Sequence, residues 1–285
     1  MSDINLVGVI GGGTMGAGIA EMCARSGSSV LILETSQATA DAAEARLDKS
    51  FARAVKSGRI EADAAEKARA AITLTLDMND FADRDLVVEA APEIESLKLD
   101  LFGKLDSIVK PEGILATNTS SIPVIKMANA TKRPDKVVGV HFFNPVPVLP
   151  LVEIVVSLVT SEETVASVTD YASNTLGKKT IRSGDRAGFI VNALLIPYMV
   201  SAIRMLESGF ASAEDIDDGM VNGCAHPMGP LRLTDTVGLD VTLAVAESLY
   251  AEFREPHYAP PPLLQRMVDA GMLGRKSGKG FYSYS

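Results

Sequence analysis

Cysteine is scarce in this chain of 285 residues: Cys23 and Cys224 are the only two, and neither belongs to a metal-spaced Cys/His cluster. A disulfide framework is therefore excluded. Both fall in apolar, helix-like context, where a reduced, buried thiol is the expected state. Positive charge is short as well: 27 Lys and Arg face 36 Asp and Glu, a formal net charge of -9. Such a chain repels polyanions on average, which argues against a nucleic-acid partner. Long apolar runs are also missing. The longest uncharged stretches, near 137–152 and 188–203, fall short of the ~20 residues that span a bilayer, and each is broken by Pro or carries His or Asn. No membrane partner is expected. Residues 1–10 carry no basic n-region and no cleavage site, so a cytoplasmic-type protein is expected. What is present, 47% apolar and 22% charged residues, is the balance of a globular protein with one large domain or two ordinary ones.

Short apolar runs alternate with helical patterns through the first part of the chain. Strands are predicted at 6–10, 30–33, 72–76, 86–89, 114–117 and 137–142, with 152–159 and 180–182 extending the sheet. Continuous apolar strands separated by helices imply a mostly parallel sheet covered on both faces, an α/β fold of Rossmann type. The Ala-rich stretch from 36 to about 71, split at Ser57-Gly58, does not fit a plain βαβ repeat. It reads as a helical hairpin projecting from the sheet, with Leu47, Phe51, Ala54 and Val55 on one face of its first arm. Lys49, Arg53 and Lys56 fall opposite them, as a basic stripe or simply a solvated face. After Gly184-Asp185 the pattern turns all-helical, with helices predicted at 189–206, 213–221, 239–253 and 263–270. Two domains are expected, 1–185 and 186–285.

The first strand runs into Gly11-Gly12-Gly13-Thr14-Met15-Gly16, a G-x-G-x-x-G between strand and helix. Gly11 permits the tight turn, Gly13 lets a pyrophosphate approach the backbone, and Gly16 lets helix and strand pack closely. The helix N-terminus supplies free N–H groups for phosphates. Glu34 ends the second strand 18 residues past Gly16, where a carboxylate accepts from a ribose hydroxyl and repels a 2′-phosphate. Together these imply a dinucleotide, NAD in preference to NADP.

Three further positions carry candidate chemistry. Ser120, after the strand at 114–117, is placed either to touch a ligand beyond the strand ends or to N-cap a helix starting at Ile122. His141 ends another strand, and a histidine there could serve as a base for a hydroxyl proton near neutral pH. Glu153, an acid in an otherwise apolar run, needs a partner, and His141 is the nearest candidate. Asn192, inside the first helix of the second domain, reads as a helix–helix hydrogen bond or as a donor to a substrate carbonyl.

The blocks at 10–18, 85–93, 118–121, 141–147 (with its His-Phe-Phe-Asn-Pro), 151–153, 188–192, 226–230 and 273–282 together resemble the L-3-hydroxyacyl-CoA dehydrogenase family, in order and over essentially the whole chain. The resemblance implies His141 as general base paired with Glu153, and Ser120 and Asn192 on the substrate. It implies cofactor contacts from Gly11, Gly13, Thr14, Met15, Gly16, Glu34, Ala91, Glu93, Lys98, Asn118, Ser120 and Asn144. It also implies Lys49, Arg53 and Lys56 near the CoA phosphates, a short-chain substrate such as 3-hydroxybutyryl-CoA or acetoacetyl-CoA, L stereochemistry at C3, and a homodimer through the helical domain. Pro92, Pro150, Ala187, Ala193 and Met272 depart from the family's usual residues, which bears on acyl-chain length and affinity. Dehydrogenases of free hydroxy acids, such as carnitine or a sugar acid, and a dinucleotide-binding protein without turnover are the alternatives.

Overall fold

The computed structural model describes residues 4–284; the part of the N-terminal reading that concerns residues 1–3 lies outside them. The chain divides into two compact units, the first ending at Asp185 and the second beginning at Arg186.

The first unit runs β1 (Leu6–Ile10), α1 (Thr14–Arg25), β2 (Ser29–Leu33), α2 (Gln37–Lys56), α3 (Ala62–Ala70), β3 (Ile72–Thr75), β4 (Leu86–Glu89), α4 (Glu95–Ile108), β5 (Ile114–Thr117), α5 (Val124–Asn129), β6 (Val137–Phe142), β7 (Leu151–Val156), α6 (Glu162–Asp170) and β8 (Lys179–Gly184). Its strands form one sheet in the order β3-β2-β1-β4-β5-β6-β7-β8. Neighbours are parallel except β6 and β7, which are antiparallel. Strands β4, β5 and β6 are buried along their whole length, as apolar strands covered on both faces must be. The strand order reverses between β1 and β4, the switch point where such sheets bind ligands beyond their carboxyl ends.

Helix α2 starts at a capping box between Ser36 and Thr39 and buries Leu47, Phe51 and Ala54 at helical spacing. Each large apolar side chain so buried contributes roughly 1.5–3 kcal/mol. The hairpin of α2 and α3 packs on α1. Val55, expected on the buried face, is exposed.

Strand β7 ends at Val156, short of the expected 159, because Ser157 and Thr160 close a turn by side-chain hydrogen bonds; Leu158 beyond it is exposed. The helix expected from Ile122 starts at Val124, after Pro123. Ser120 is therefore not its N-cap. The free N–H groups of Val124 and Ile125 donate to the two carboxylate oxygens of Asp185, at 2.7 Å each, a cap from 60 residues away that no local pattern announces.

The second unit consists of α7 (Val191–Glu207), α8 (Ala213–Cys224), α9 (Pro230–Val237), α10 (Leu239–Phe253) and α11 (Pro262–Asp269). Among the described residues its only β pairing is isolated bridges in the C-terminal tail. Helix α9 carries no long apolar period and was not expected. It is held from outside: the buried Asp217 accepts from the Leu231 and Arg232 N–H groups and the Tyr282 hydroxyl. Asp235, on α9 and also buried, accepts from the Phe281 and Tyr282 N–H groups and the Tyr284 hydroxyl. Cys224, expected to be buried, is exposed where α8 ends; Cys23 is buried.

Candidate active site

The Gly-rich loop leaves the carboxyl end of β1 at the switch point. Gly11 has φ +89, the left-handed region that only glycine enters without strain. A Cβ on Gly16 would run into the Gly11 carbonyl oxygen, whereas a Cβ on Gly13 would meet nothing within 4 Å. The outer glycine thus serves close packing of α1 on β1, and the middle one leaves the backbone approachable. No side chain caps α1, so its first-turn N–H groups, from Thr14 and Met15 on, point into that approach. Glu34, just past β2, accepts the Gly12 N–H at 2.5 Å, while Arg46 donates to the Gly12 carbonyl at 2.7 Å. This set of an open glycine backbone, an uncapped helix end and a carboxylate one strand away fits the diphosphate and adenosine ribose of a dinucleotide.

The carboxyl ends of β4 and β5 hold a buried ionic network. Lys98, on α4 and fully buried, donates to both oxygens of Glu89 at 2.7 and 2.9 Å and pairs with Glu93 at 3.0 Å. Glu89 also accepts from the Thr117 hydroxyl and the Ala91 N–H, each at 2.7 Å. Glu93, partly exposed, accepts from the Thr119 and Ser121 hydroxyls and the Ser120 N–H. Burial pushes the Glu93 pKa up, but the Lys98 charge and these hydroxyls outweigh it and hold the carboxyl below its usual range. Lys98 thus meets Glu93 as a brace from beneath and not as an exposed group.

One strand further, β6 and β7 set His141 directly opposite Glu153 in their antiparallel register. Side chains of directly opposed residues share a face, so the pairing puts His141 Nδ1 2.7 Å from Glu153 Oε2. Both are buried, and the Phe143 ring stands edge-on to the imidazole, 4.6 Å between centroids. A one-residue slip between these strands would move the acid to the other face. Asn118 ties the neighbouring strand ends together: its N–H donates to the Glu89 carbonyl at 2.8 Å, and its side-chain oxygen accepts the Phe142 N–H at 2.9 Å.

Gly11–Gly16, Glu34, Ala91, Glu93, Lys98, Asn118, Ser120, His141, Asn144 and Glu153 thus lie at or near the carboxyl ends of β1, β2, β4, β5 and β6, with Glu153 on β7. Ser120 is half-buried and Asn144 exposed, and the Ser120 hydroxyl makes no hydrogen bond among the described residues. Lys49, Arg53 and Lys56 are exposed on α2, and no described carboxylate pairs with them. Asn192 lies half-buried in the first turn of α7, with no side-chain hydrogen bond among the described residues, so helix–helix bonding does not account for it.

Sequence reasoning missed Glu89, Thr117 and Lys178. Glu89 did give a signal, an acid ending an apolar strand, the same one that marked Glu153. Lys178 gave none. Buried, it donates to the Val146 and Leu149 carbonyls at 2.6 and 2.7 Å and braces the turn that carries Asn144. Desolvation, with Arg25 nearby, holds its pKa below that of an ordinary lysine. Of the departures, Ala187 has a reason: its N–H, which proline lacks, donates to Glu252 at 2.8 Å.

Family models describing the 3-hydroxyacyl-CoA dehydrogenase NAD binding domain and C-terminal domain match residues 6–186 and 188–284. The chain is 54% identical over 286 residues to a 3-hydroxybutyryl-CoA dehydrogenase of Mycobacterium tuberculosis, covering the whole of both. The crystal structure of M. tuberculosis FadB2 is similar with a TM-score of 0.98 and 53% identity, over 99% of each chain. That of the (S)-3-hydroxybutyryl-CoA dehydrogenase PaaH1 from Ralstonia eutropha is similar with a TM-score of 0.93 and 44% identity, over 99% of this chain and 100% of that one.

Proposed function

The chain belongs to the 3-hydroxyacyl-CoA dehydrogenase family, and from that premise we propose how its own residues carry the reaction. It is an NAD-dependent oxidoreductase that converts a 3-hydroxyacyl-CoA, such as (S)-3-hydroxybutyryl-CoA, to the 3-ketoacyl-CoA, reversibly. The observation that carries the assignment of roles is the buried His141–Glu153 pair, with His141 on the strand next to β5.

NAD, when bound, supplies the acceptor for the hydride that leaves C3. Gly11, Gly13 and Gly16 with Thr14 and Met15 hold its diphosphate, and Glu34 its adenosine ribose. Glu93, braced by Lys98, holds the second ribose, beside Ala91, Asn118 and Asn144. His141 takes the hydroxyl proton on Nε2 as hydride departs. Glu153 accepts from Nδ1–H, which fixes the tautomer and stabilises the imidazolium that forms. In the reductive direction His141 returns the proton. The Ser120 hydroxyl and the Asn192 amide align the substrate oxygen, a positioning contribution comparable with that of the base. Lys49, Arg53 and Lys56 meet the CoA phosphates, as unpaired exposed cations suit. Residues 1–185 form the NAD-binding domain and 186–285 the substrate and dimerisation domain. A homodimer through the latter is supported by the exposed apolar side chains of Leu194 and Phe210. Among the described residues no helix is long and apolar enough to cross a membrane.

The deciding assay supplies NADH with acetoacetyl-CoA or with a free keto acid and follows loss of NADH absorbance. Turnover of the thioester alone is expected. Turnover of the free acid alone would overturn the CoA reading and leave the dinucleotide site standing. In the same assay Glu34→Gln should narrow the preference for NADH over NADPH by about tenfold, the effect of removing one unit charge close to a phosphate. An unchanged preference would remove Glu34 from the cofactor site.

A further inference from the structure

We propose that the Glu89–Lys98–Glu93 triad, carrying one net negative charge at the carboxyl ends of β4 and β5, biases this enzyme toward the oxidised form of its nicotinamide cofactor. The inference rests on the dinucleotide site and the base assigned above, and it concerns which redox form the site prefers.

Position comes first. The diphosphate is anchored at the end of β1 and the adenosine half lies on the β2 side, at Glu34. The atom that accepts hydride must face a carbon whose hydroxyl gives its proton to His141, on β6. Between β1 and β6 the sheet contains only β4 and β5. The reacting ring therefore lies over the ends of those two strands, where the triad sits.

Charge comes second. Glu89 and Lys98 are buried and cancel each other, their ammonium and carboxylate 2.7 Å apart. Glu93 shares Lys98 but adds a second carboxylate, so the group as a whole is left with one negative charge. Glu93 stays ionised at neutral pH, because the Lys98 charge and the bonds from Thr119 and Ser121 outweigh its burial. The next charged pair along α4, Glu95 with Lys126, is exposed and self-cancelling. A nicotinamide ring is cationic when oxidised and neutral when reduced. A fixed negative charge beside it stabilises the oxidised form and is indifferent, to first order, to the reduced one. The same field lowers the reduction potential of the bound cofactor.

The test measures dissociation constants of the intact enzyme for NAD by calorimetry and for NADH by fluorescence, without substrate. Glu93→Gln keeps a hydrogen-bond acceptor and removes the charge. It should weaken NAD binding and shift the ratio of the two constants toward NADH by about tenfold, the size expected for one partly shielded unit charge at close range. Glu93→Asp keeps the charge and should hold the ratio within about twofold of wild type, even if both forms bind more weakly. Glu95→Gln, which removes an exposed charge two residues further on, at the start of α4, should leave the ratio unmoved. Equal weakening of both forms by Glu93→Gln, or a shift matched by Glu95→Gln, overturns the proposal and leaves Glu93 as a ribose contact only. Failure of the wild type to bind either form would instead overturn the assignment of the dinucleotide site.

Discussion

Replacing His141 with alanine is expected to lower kcat with acetoacetyl-CoA and NADH by about a thousandfold, within the range measured for loss of a general acid or base. His141 is nearly enclosed and its Nδ1 is fixed by Glu153, so no neighbouring side chain can assume its place. Glu153→Gln should also lower kcat, by about a hundredfold or more, because an amide cannot stabilise the imidazolium and can donate to Nδ1, which favours the wrong tautomer. The KM for acetoacetyl-CoA should change little in either variant, since neither group is asked to bind the thioester. Circular dichroism and the thermal midpoint must be read on the same samples, because removing His141 takes the imidazole away from the buried Glu153 carboxylate. A folded His141→Ala enzyme that kept more than a tenth of its kcat would exclude His141 as the base.

Lys98→Met should destabilise the protein by about 3–5 kcal/mol, as removal of one partner from a buried ion pair does. The methionine fills the space, but Glu89 is left with its charge, no cation, and only the Thr117 hydroxyl and the Ala91 N–H to answer it. Urea unfolding of the apo-protein measures the change. The paired variant Glu89→Gln/Lys98→Met should recover at least half of it, because the burden lies in the orphaned carboxylate and not in lost packing. A Lys98→Met loss below about 1 kcal/mol would mean that water reaches Glu89 and that the network is not a dry one.

What was legible in the sequence follows from where each element draws its stability. Strands β4, β5 and β6 are buried on both faces, so their residues are apolar but for Glu89, Thr117 and His141 at or near the carboxyl ends, and the strands declare themselves. The Gly-rich loop is legible for the same local reason, since the positive φ of Gly11 and the close approach at Gly16 admit no other residue. His141 and Glu153 could be linked because an acid in an apolar run demands a partner and twelve residues is the reach of a strand pair with its turn. Ser120 was offered a capping role that belongs to Asp185, because the capping carboxylate lies 60 residues downstream. Helix α9 and the C-terminal tail depend on Asp217 and Asp235, and buried acids look like surface acids until their donors are known. Glu89 lay in plain view as the last residue of an apolar strand.

Asp185 also sets where this chain can be divided. It is the last residue of the first unit, yet its carboxylate supplies both oxygens to the start of α5, which packs against β6, the strand that carries His141. A fragment ending at Gly184 would keep every strand of the sheet and lose that cap, whereas one ending a few residues later would retain it. Limited proteolysis or gene truncation intended to isolate the nucleotide-binding half should therefore cut after Asp185.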